Sequence, residues 1–296
     1  MIDFSRIRTY PIRERKNRVS VKRFRTEDSP VRDRGIHQLA ECILRAHNQG
    51  KEVVLMMGGH PIKVGVAGHI IDLIKNKVIT HVAMNGSASI HDFEIAMIGQ
   101  TSEDVSHNIR DGSFGMSEET GHGMNSAIKE GISKGMGYGY SVAARIRDFR
   151  YRKHSILYNA LEAGIPATVH VAIGTDIIHQ HPSCDGGALG EASYRDFKIL
   201  ADTLSRLEDG VAVNLGSAVI MPEVFIKALS VARNICGGTS RITTANLDML
   251  DHYRPRVNVV ERPTDPDGTG IFIQGRHEKT IPGLHALIMK GLKNGH

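Results

Sequence analysis

ITHVAMNGSASIHDFE, residues 79–94, is the stretch that decides the fold of this chain. Its apolar first half is typical of the end of a buried strand, and the small residues Asn85, Gly86 and Ser87 then predict a tight turn. Ser89 is expected to cap a following helix. Unpaired N–H groups at the start of that helix favour an anion or a phosphate at the carboxyl end of the strand.

A second unit of strand, glycine turn and helix precedes this stretch. Residues 53–57 form a short apolar run that ends in Gly58 and Gly59, and residues 66–75 carry isoleucines at a helical spacing. Such alternation argues for parallel strands joined by right-handed crossovers. We therefore predict an α/β fold with a Rossmann-like, doubly wound, mostly parallel sheet and helices on both faces.

The remaining hydrophobic pattern predicts further strands and helices. Strands are expected at residues 166–173, 211–215, 240–245, 256–260 and 270–274. Helices are expected at residues 35–48, 117–128, 142–163, 194–207 and 222–233, and from Pro282 onward. Residues 111–120 and 179–190 are rich in glycine and polar residues and are predicted to be loops.

The first 34 residues are strongly basic, with eleven arginines and lysines, whereas the whole chain has a net charge of only +5. A basic run of this kind could bind nucleic acid, but it lacks the interleaved aromatic residues that stack on bases. We interpret residues 1–34 as a solvated arm that packs on a neighbouring subunit. Residues 35–296 contain no linker or repeat and are predicted to form one domain.

Composition excludes several classes of protein. Of the 296 residues, 41% are hydrophobic and 23% are charged, which is typical of a globular chain with a sizeable core. No apolar run is long enough to cross a membrane, and the polar N-terminus predicts a cytoplasmic protein. Cys42, Cys184 and Cys236 are widely spaced and form neither a metal-ligand pattern nor a disulfide framework.

Four turns with small residues follow predicted strands, and in a parallel sheet all four would lie at one edge. They are residues 58–63, 85–89, 176–190 and 216–217. Neither the GxGxxG fingerprint nor the GxxxxGK[ST] phosphate loop occurs in the chain. The expected convergence of four turns nevertheless indicates a nucleotide site of the doubly wound kind.

Several histidines near residues 166–173 offer two alternatives. His170, His179, His181 and Asp185 could hold a divalent metal in a metal-dependent lyase or hydrolase, although their spacing matches no closed zinc pattern. Cys184 could act as a nucleophile with His179 or His181 as its base. The same side chains could also simply pack or hydrogen-bond a ligand.

Five segments of the chain together resemble deoxyhypusine synthases, in the order in which that family has them. They are GVAGHIIDLIKNKVITHVAMNGSASIHDFE at 65–94, IPATVHVA at 165–172, DGGALGE at 185–191, VAVNLGSAVI at 211–220, and residues 271–287. The resemblance implies a Rossmann-like, NAD-binding α/β fold assembled as a homotetramer. It also implies NAD-dependent, transferase-type chemistry on a small amine- or hydroxyl-bearing substrate.

The resemblance also implies which residues form the site. NAD would be lined by Gly59, His60, Asn85, Gly86, Ser87, Asp185, Arg276 and His277. His91 falls where the family keeps an acid near its amine substrate. Because histidine titrates near neutrality, proton transfer is expected from the candidate catalytic residues, which are His91, His179, His181 and Glu191.

The chain departs from that family at the catalytic lysine. The family's lysine lies in a loop ending Trp-Gly-Lys between the last two strands, whereas this chain has no tryptophan and a short connection at residues 263–270. Met221 and Pro222 stand where the family has a His-His pair. True deoxyhypusine synthesis is therefore not expected, although Lys63 or Lys279 could replace the missing lysine. A non-catalytic nucleotide-binding protein is the other alternative.

Overall fold

The computed structural model describes residues 2–30 and 32–294, and within them the chain forms eight strands. In chain order they are β1 (Val19–Ser20), β2 (Val53–Met57), β3 (His81–Asn85), β4 (Gln100–Thr101), β5 (Ala167–His170), β6 (Val211–Leu215), β7 (Thr243–Asp248) and β8 (Thr269–Gln274). Strands β1 and β4 form a small antiparallel ribbon, and the other six form the central sheet.

The central sheet has the strand order β5–β3–β2–β6–β7–β8, and every neighbouring pair is parallel. Numbered along the chain, this is the order 3-2-1-4-5-6 of dinucleotide-binding folds. The order reverses between β2 and β6, which pair from Val53 with Val211 to Met57 with Leu215. The predicted doubly wound, parallel α/β fold is therefore confirmed, and its switch point lies between these two strands.

Helices connect the strands. They are α1 (Arg34–Asn48), α2 (His60–Lys63), α3 (Ala67–Lys75), α4 (Gly86–Ile98), α5 (Val105–Asn108), α6 (Glu118–Ser133), α7 (Tyr138–Ile146), α8 (Ile156–Ala163), α9 (Gly186–Leu204), α10 (Ile220–Cys236), α11 (Tyr253–Pro255) and α12 (His277–Asn294). Within the described residues, no helix has the length and apolarity that crossing a membrane requires.

Alternate residues of the central strands enter two hydrophobic cores. Leu55 and Met57 of β2 face the larger core, which includes the apolar sides of α1, α3, α4 and α12. Val54 and Met56 face the smaller core, which is closed by α9 and α10. Because both faces of the sheet are covered, β2 is a continuous apolar run rather than an alternating one. The uninterrupted apolar run is therefore a clear sequence signal for strand β2.

Two predicted elements are wrong. Residues 256–260 form part of a π-helical segment, Arg256–Glu261, and not a strand. A short apolar run fits a buried strand and a buried helix equally well, so the pattern could not distinguish them. Residues 142–163 form two helices and not one, because α8 has its own N-cap at Ser155, whose side chain accepts the N–H of Tyr158.

Several helices begin earlier in the chain than the sequence predicted; α12, for example, begins at His277, so Pro282 lies inside it and not at its start. Asn85, rather than Ser89, is the N-cap of α4, and its side chain accepts the N–H of Ala88 at 2.9 Å. Helix α9 begins at Gly186 with Asp185 as its N-cap, so the predicted loop at 179–190 is shorter than expected. In α4 and α9 a short polar side chain at the preceding residue satisfies an early N–H group of the helix.

The basic arm packs on its own chain in several places, including the pairing of β1 with β4. Ile12 and Arg15 are buried, with 4% and 8% of their surface exposed, so the prediction of a solvated arm is wrong there. The other ten basic residues of the first 34 are exposed. Met1, Val31, Gly295 and His296, which fall within the predicted arm and domain, lie outside the described residues.

Candidate functional site

The turns after the strands meet at one edge of the sheet. Gly58 follows β2 and Gly216 follows β6, and the two are so close that a Cβ on Gly58 would overlap the carbonyl oxygen of Gly216. The N–H of Gly58 donates to the carbonyl of Leu215 at 3.0 Å, which fixes the two turns to each other. The predicted convergence of the turns after β2, β3, β5 and β6 at one edge is thus confirmed by the parallel pairing.

The start of α4 is occupied by a carboxylate of the protein itself. A Cβ on Gly86 would overlap the carboxyl group of Asp176, which follows β5. Burial raises the pKa of Asp176 to about 6, and a hydrogen bond from Thr175 only partly opposes this. The helix N-terminus favours a negative charge here, so Asp176 takes the place in which the sequence predicted an external anion.

His91, in the second turn of α4, lies against the glycine turn after β2. Its Nδ1 is 2.8 Å from Thr101 Oγ1, and that hydroxyl donates its proton to Glu94 Oε2 at 2.6 Å. The hydroxyl must therefore accept from His91 Nδ1–H, which leaves the lone pair of the neutral ring on Nε2. A Cβ on Gly59 would lie only 2.7 Å from the ring of His91, so ring and turn are in direct contact.

Glu94 anchors this chain of hydrogen bonds. Its two carboxylate oxygens accept from the guanidinium nitrogens of Arg15 at 2.8 and 2.7 Å, and Thr120 Oγ1 donates to it at 2.8 Å. Burial alone would raise the pKa of Glu94, but the hydrogen bonds and charge of Arg15 outweigh burial and lower it. Glu94 is therefore a fixed negative charge that orients Thr101, and through it His91.

We expect His91 to stay neutral, with its proton on Nδ1, until the pH approaches about 4. Burial is the main cause of this lowered pKa, and the charge of Glu94 only partly opposes it. Nitrogen-15 NMR of the imidazole rings would measure both tautomer and pKa. In a Thr101→Val variant Nδ1 loses its acceptor, so the Nδ1–H preference should weaken. An Nε2–H tautomer in the unmodified protein would contradict the orientation proposed for the ring.

A cavity of about 230 Å³ opens beside His91. Its lining combines groups of both charges with a few apolar side chains, and includes Lys63, Ser87, His91, Glu103, Phe114 and Asp176. A volume below the usual range for drug-sized ligands fits a small molecule rather than a dinucleotide. The polar lining gives such a molecule several hydrogen-bond donors and acceptors.

His60 and His277 lie against each other beside the turns that follow β2 and β6. Their ring centroids are 5.3 Å apart, and the His277 ring fills the space beside Gly216, where a Cβ would lie 2.5 Å away. His277 Nε2 lies 3.1 Å from the carbonyl oxygen of Leu247 and so carries the ring proton. The other nitrogen of this ring, Nδ1, and Nε2 of His60 are buried without hydrogen-bond partners among the described residues. Burial and the neighbouring His277 lower the pKa of His60. Two buried ring nitrogens next to these turns thus lack a hydrogen-bond partner among the described residues.

His179 and His181 have structural partners. His179 Nδ1 accepts the N–H groups of Gly174 and Asp176 at 3.0 and 3.2 Å, and its Nε2 lies 3.9 Å from the carboxylate of Asp176. It therefore holds the loop that carries Asp176 against α4. His181 is held by Glu118 at the start of α6, whose carboxylate lies 3.3 Å from His181 Nε2.

Other predicted site residues lie away from the cavity lining. Glu191 is on the exposed side of α9, where it pairs with Arg195 at 2.7 Å. Asp185 caps α9 and lies 3.6 Å from Lys129 of α6. Arg276 is exposed after β8, next to the buried His277. The structure thus brings His91, Ser87, Gly59, His60 and His277 to the switch-point edge, while Glu191 and Asp185 project from another helix.

The residues of the predicted metal site are separately engaged. His170 Nε2 is 2.9 Å from Thr168 Oγ1, and burial lowers the pKa of His170 to about 3. Within the described ranges, His170, His179, His181 and Asp185 do not gather as a group of metal ligands. Burial and the charge of Asp185 raise the pKa of the Cys184 thiol, which is the opposite of what an activated nucleophile requires.

Comparison with models of protein families and with curated protein sequences gives no match. Solved structures do match in fold. A candidate deoxyhypusine synthase from Entamoeba histolytica has a TM-score of 0.53 at 10% identity, covering 86% of this chain and 87% of its own. A conserved, candidate LOR/SDH protein from Methanococcus maripaludis S2 has a TM-score of 0.52 at 15% identity, covering 92% of this chain and 71% of its own.

The third similar structure is AgrE in its ternary complex with ornithine and NAD⁺. It has a TM-score of 0.51 at 14% identity and covers 90% of this chain. This chain shares the fold of all three proteins. It spans about a third of the length of AgrE, 34% of that chain. At such low identities the likeness concerns the fold alone.

Proposed function

We propose that this chain is an NAD-dependent enzyme that acts on a small amine- or hydroxyl-bearing substrate. The observation that carries the proposal is the position of His91, whose Nε2 lone pair is free beside the glycine turn at the switch point and lines a cavity of about 230 Å³. The strand order is that of dinucleotide-binding folds. AgrE, which has a similar fold, is described in complex with NAD⁺, and this supports the choice of cofactor.

The turns after β2 and β6 fit the polar groups of a dinucleotide better than the start of α4 does. His60 Nε2 and His277 Nδ1 are buried without partners there, whereas Asp176 already occupies the α4 terminus. We assign Gly59, His60, His277 and the exposed Arg276 to the cofactor. The cavity beside His91 is too small for a dinucleotide and is assigned to the substrate.

Bound NAD would supply the acceptor for a hydride from the substrate carbon next to the amine or hydroxyl group. His91 Nε2 would take the proton that this group releases, and the Thr101–Glu94 hydrogen bond would stabilise the charged ring. Asp176 offers a counter-charge for an amine. Of the two lysines that could replace the family's lysine, Lys63 lines the cavity.

Thermal unfolding with added nucleotide tests the proposal. NAD at 100 times its dissociation constant should stabilise the protein by about 2.7 kcal/mol. His60→Ala should reduce the stabilisation, because it removes one of the unpartnered nitrogens, while His122→Ala on the exposed side of α6 should leave it unchanged. If NAD, NADH, NADP and NADPH all leave the unfolding curve in place, the proposed cofactor is wrong. The homotetramer that the resemblance implies stays part of the proposal.

A further inference from the structure

A second cluster of histidines and carboxylates lies outside this site. It joins three parts of the chain that are far apart in sequence: Asp28 in the basic arm, His69 and Asp72 on α3, and His285 on α12. One ligand atom each from Asp28, His69 and His285 lies within 4.8 Å of the others. The sequence does not reveal this group, because no short spacing connects its members.

His69 is the member that ordinary packing does not explain. Its side chain is only 3% exposed, and neither ring nitrogen has a hydrogen-bond partner among the described residues. The backbone carbonyls of Glu27 and Val66 lie near the ring without hydrogen-bonding geometry. A buried polar ring without partners costs stability, so a missing ligand is the simplest way to satisfy it.

The neighbours of His69 have the chemistry of metal ligands. His69 Nε2 lies 3.8 Å from Asp28 Oδ1, which is 2.8 Å from His285 Nδ1. In a tetrahedral zinc site, with metal–ligand bonds near 2.0 Å, neighbouring ligand atoms are about 3.3 Å apart. The two observed distances lie on either side of this value. Small side-chain movements would therefore bring all three atoms to coordination distance.

Asp72 completes the arrangement. Its Oδ2 lies 2.8 Å from His285 Nε2, on the side of the ring away from Asp28. A carboxylate that accepts the second ring N–H of a ligating histidine fixes its tautomer and orientation, and this combination recurs in metal sites.

We propose that Asp28, His69 and His285 bind one Zn²⁺ ion, with Asp72 orienting His285 and a water molecule or further ligand at the fourth position. Two imidazoles and one carboxylate form a ligand set that suits zinc among the common divalent ions. The ion would attach the basic arm to α3 and α12. It would take the place of the direct contact between His285 Nδ1 and Asp28.

Calorimetric titration of the full chain, first stripped with a chelator, with Zn²⁺ alone tests the site. We expect one equivalent of zinc and a higher melting temperature. His69→Phe, which keeps a buried ring but has no nitrogen, should abolish that equivalent. Asp72→Asn should weaken binding 10- to 100-fold, the usual effect of a residue that orients a metal ligand. His122→Phe, at an exposed histidine of α6, is the matched control and should bind as the unmodified chain does.

Circular dichroism would show that each variant is folded before its titration is compared. Zinc binding that persists at one equivalent in the folded His69→Phe variant would overturn the proposal, because the ion would then lie elsewhere among the 16 histidines. Absence of any saturable zinc binding by the unmodified chain would overturn it equally. Neither result depends on NAD or on enzyme activity.

Discussion

Replacing Arg15 by methionine is expected to lower the free energy of unfolding by about 3–5 kcal/mol, the usual cost of removing one partner of a buried ion pair. The side chains of Arg15 and Glu94 are only 2% and 1% exposed, and both guanidinium–carboxylate contacts are shorter than 3 Å. Methionine keeps an unbranched apolar chain but leaves the Glu94 carboxylate buried without its cation. Urea unfolding of both proteins would measure the difference.

Arg18→Met is the matched control. Arg18 also pairs with a carboxylate, Asp104 at 2.7 Å, but these side chains are 63% and 42% exposed. Solvent screening leaves an exposed pair with little net stabilisation, so the same substitution should cost little here. Adding Glu94→Gln to Arg15→Met should recover part of the loss, because it removes the uncompensated charge. Equal costs for the two arginine variants would show that the Arg15–Glu94 pair is not buried in solution.

The fold could be predicted because its signals are local. Most central strands are short apolar runs, and five of the six, all except β7, are followed by a glycine within four positions. The parallel order then follows from general rules for crossovers. The apolar run at 256–260 predicts a strand but forms a π-helical segment, because periodicity in so short a buried run does not separate strand from helix. The local sequence pattern thus predicts the strands of the sheet, but not every segment that packs against the sheet.

The candidate site was only partly predictable. His91 and Ser87 lie in the quoted stretch at 79–94, and both line the cavity. The residues that orient His91 gave no signal: Arg15 is 79 positions from Glu94 and was one of eleven basic residues in the arm. Thr101 lies on the short strand β4 and has no motif. Contacts between distant parts of a chain depend on packing, which a single sequence does not display.

Asp196→Asn is expected to change how stability depends on pH. Asp196, on α9, is 1% exposed, and its Oδ2 accepts the backbone N–H groups of Gly139 and Val169 at 2.8 and 2.7 Å. Burial raises the pKa of Asp196 to about 7, and the N–H donors oppose burial without reversing it. Asparagine has the same shape and can still accept these hydrogen bonds, but it does not titrate.

The ordinary pKa of Asp196 is 3.8 and its pKa in the folded chain is about 7. At pH values between these two, Asp196 is protonated in the folded chain and ionised in the unfolded chain. A group that binds more protons when folded stabilises the protein fully at low pH and loses that contribution as the pH rises. The unfolding free energy of the unmodified protein, minus that of Asp196→Asn, should therefore fall by about 1.4 kcal/mol per pH unit across this window. Over the whole window the difference in unfolding free energy should fall by roughly 4 kcal/mol, and above about pH 7 it should no longer change with pH.

The difference between the two proteins is the informative quantity, because other buried groups titrate in the opposite direction. Burial lowers the pKa values of His81 and His170 from 6.5 to about 3. Each histidine therefore contributes stability that is fully present above pH 6.5 and is lost as the pH falls towards 3. Both histidines are present in each protein, and their contributions cancel. Asp202→Asn, at a carboxylate of the same helix whose side chain is 71% exposed, is the matched control for the loss of a carboxylate from α9. A difference curve for Asp196→Asn that is flat from pH 4 to 7 would mean that Asp196 is ionised in the folded chain, held by its N–H donors rather than neutralised by burial.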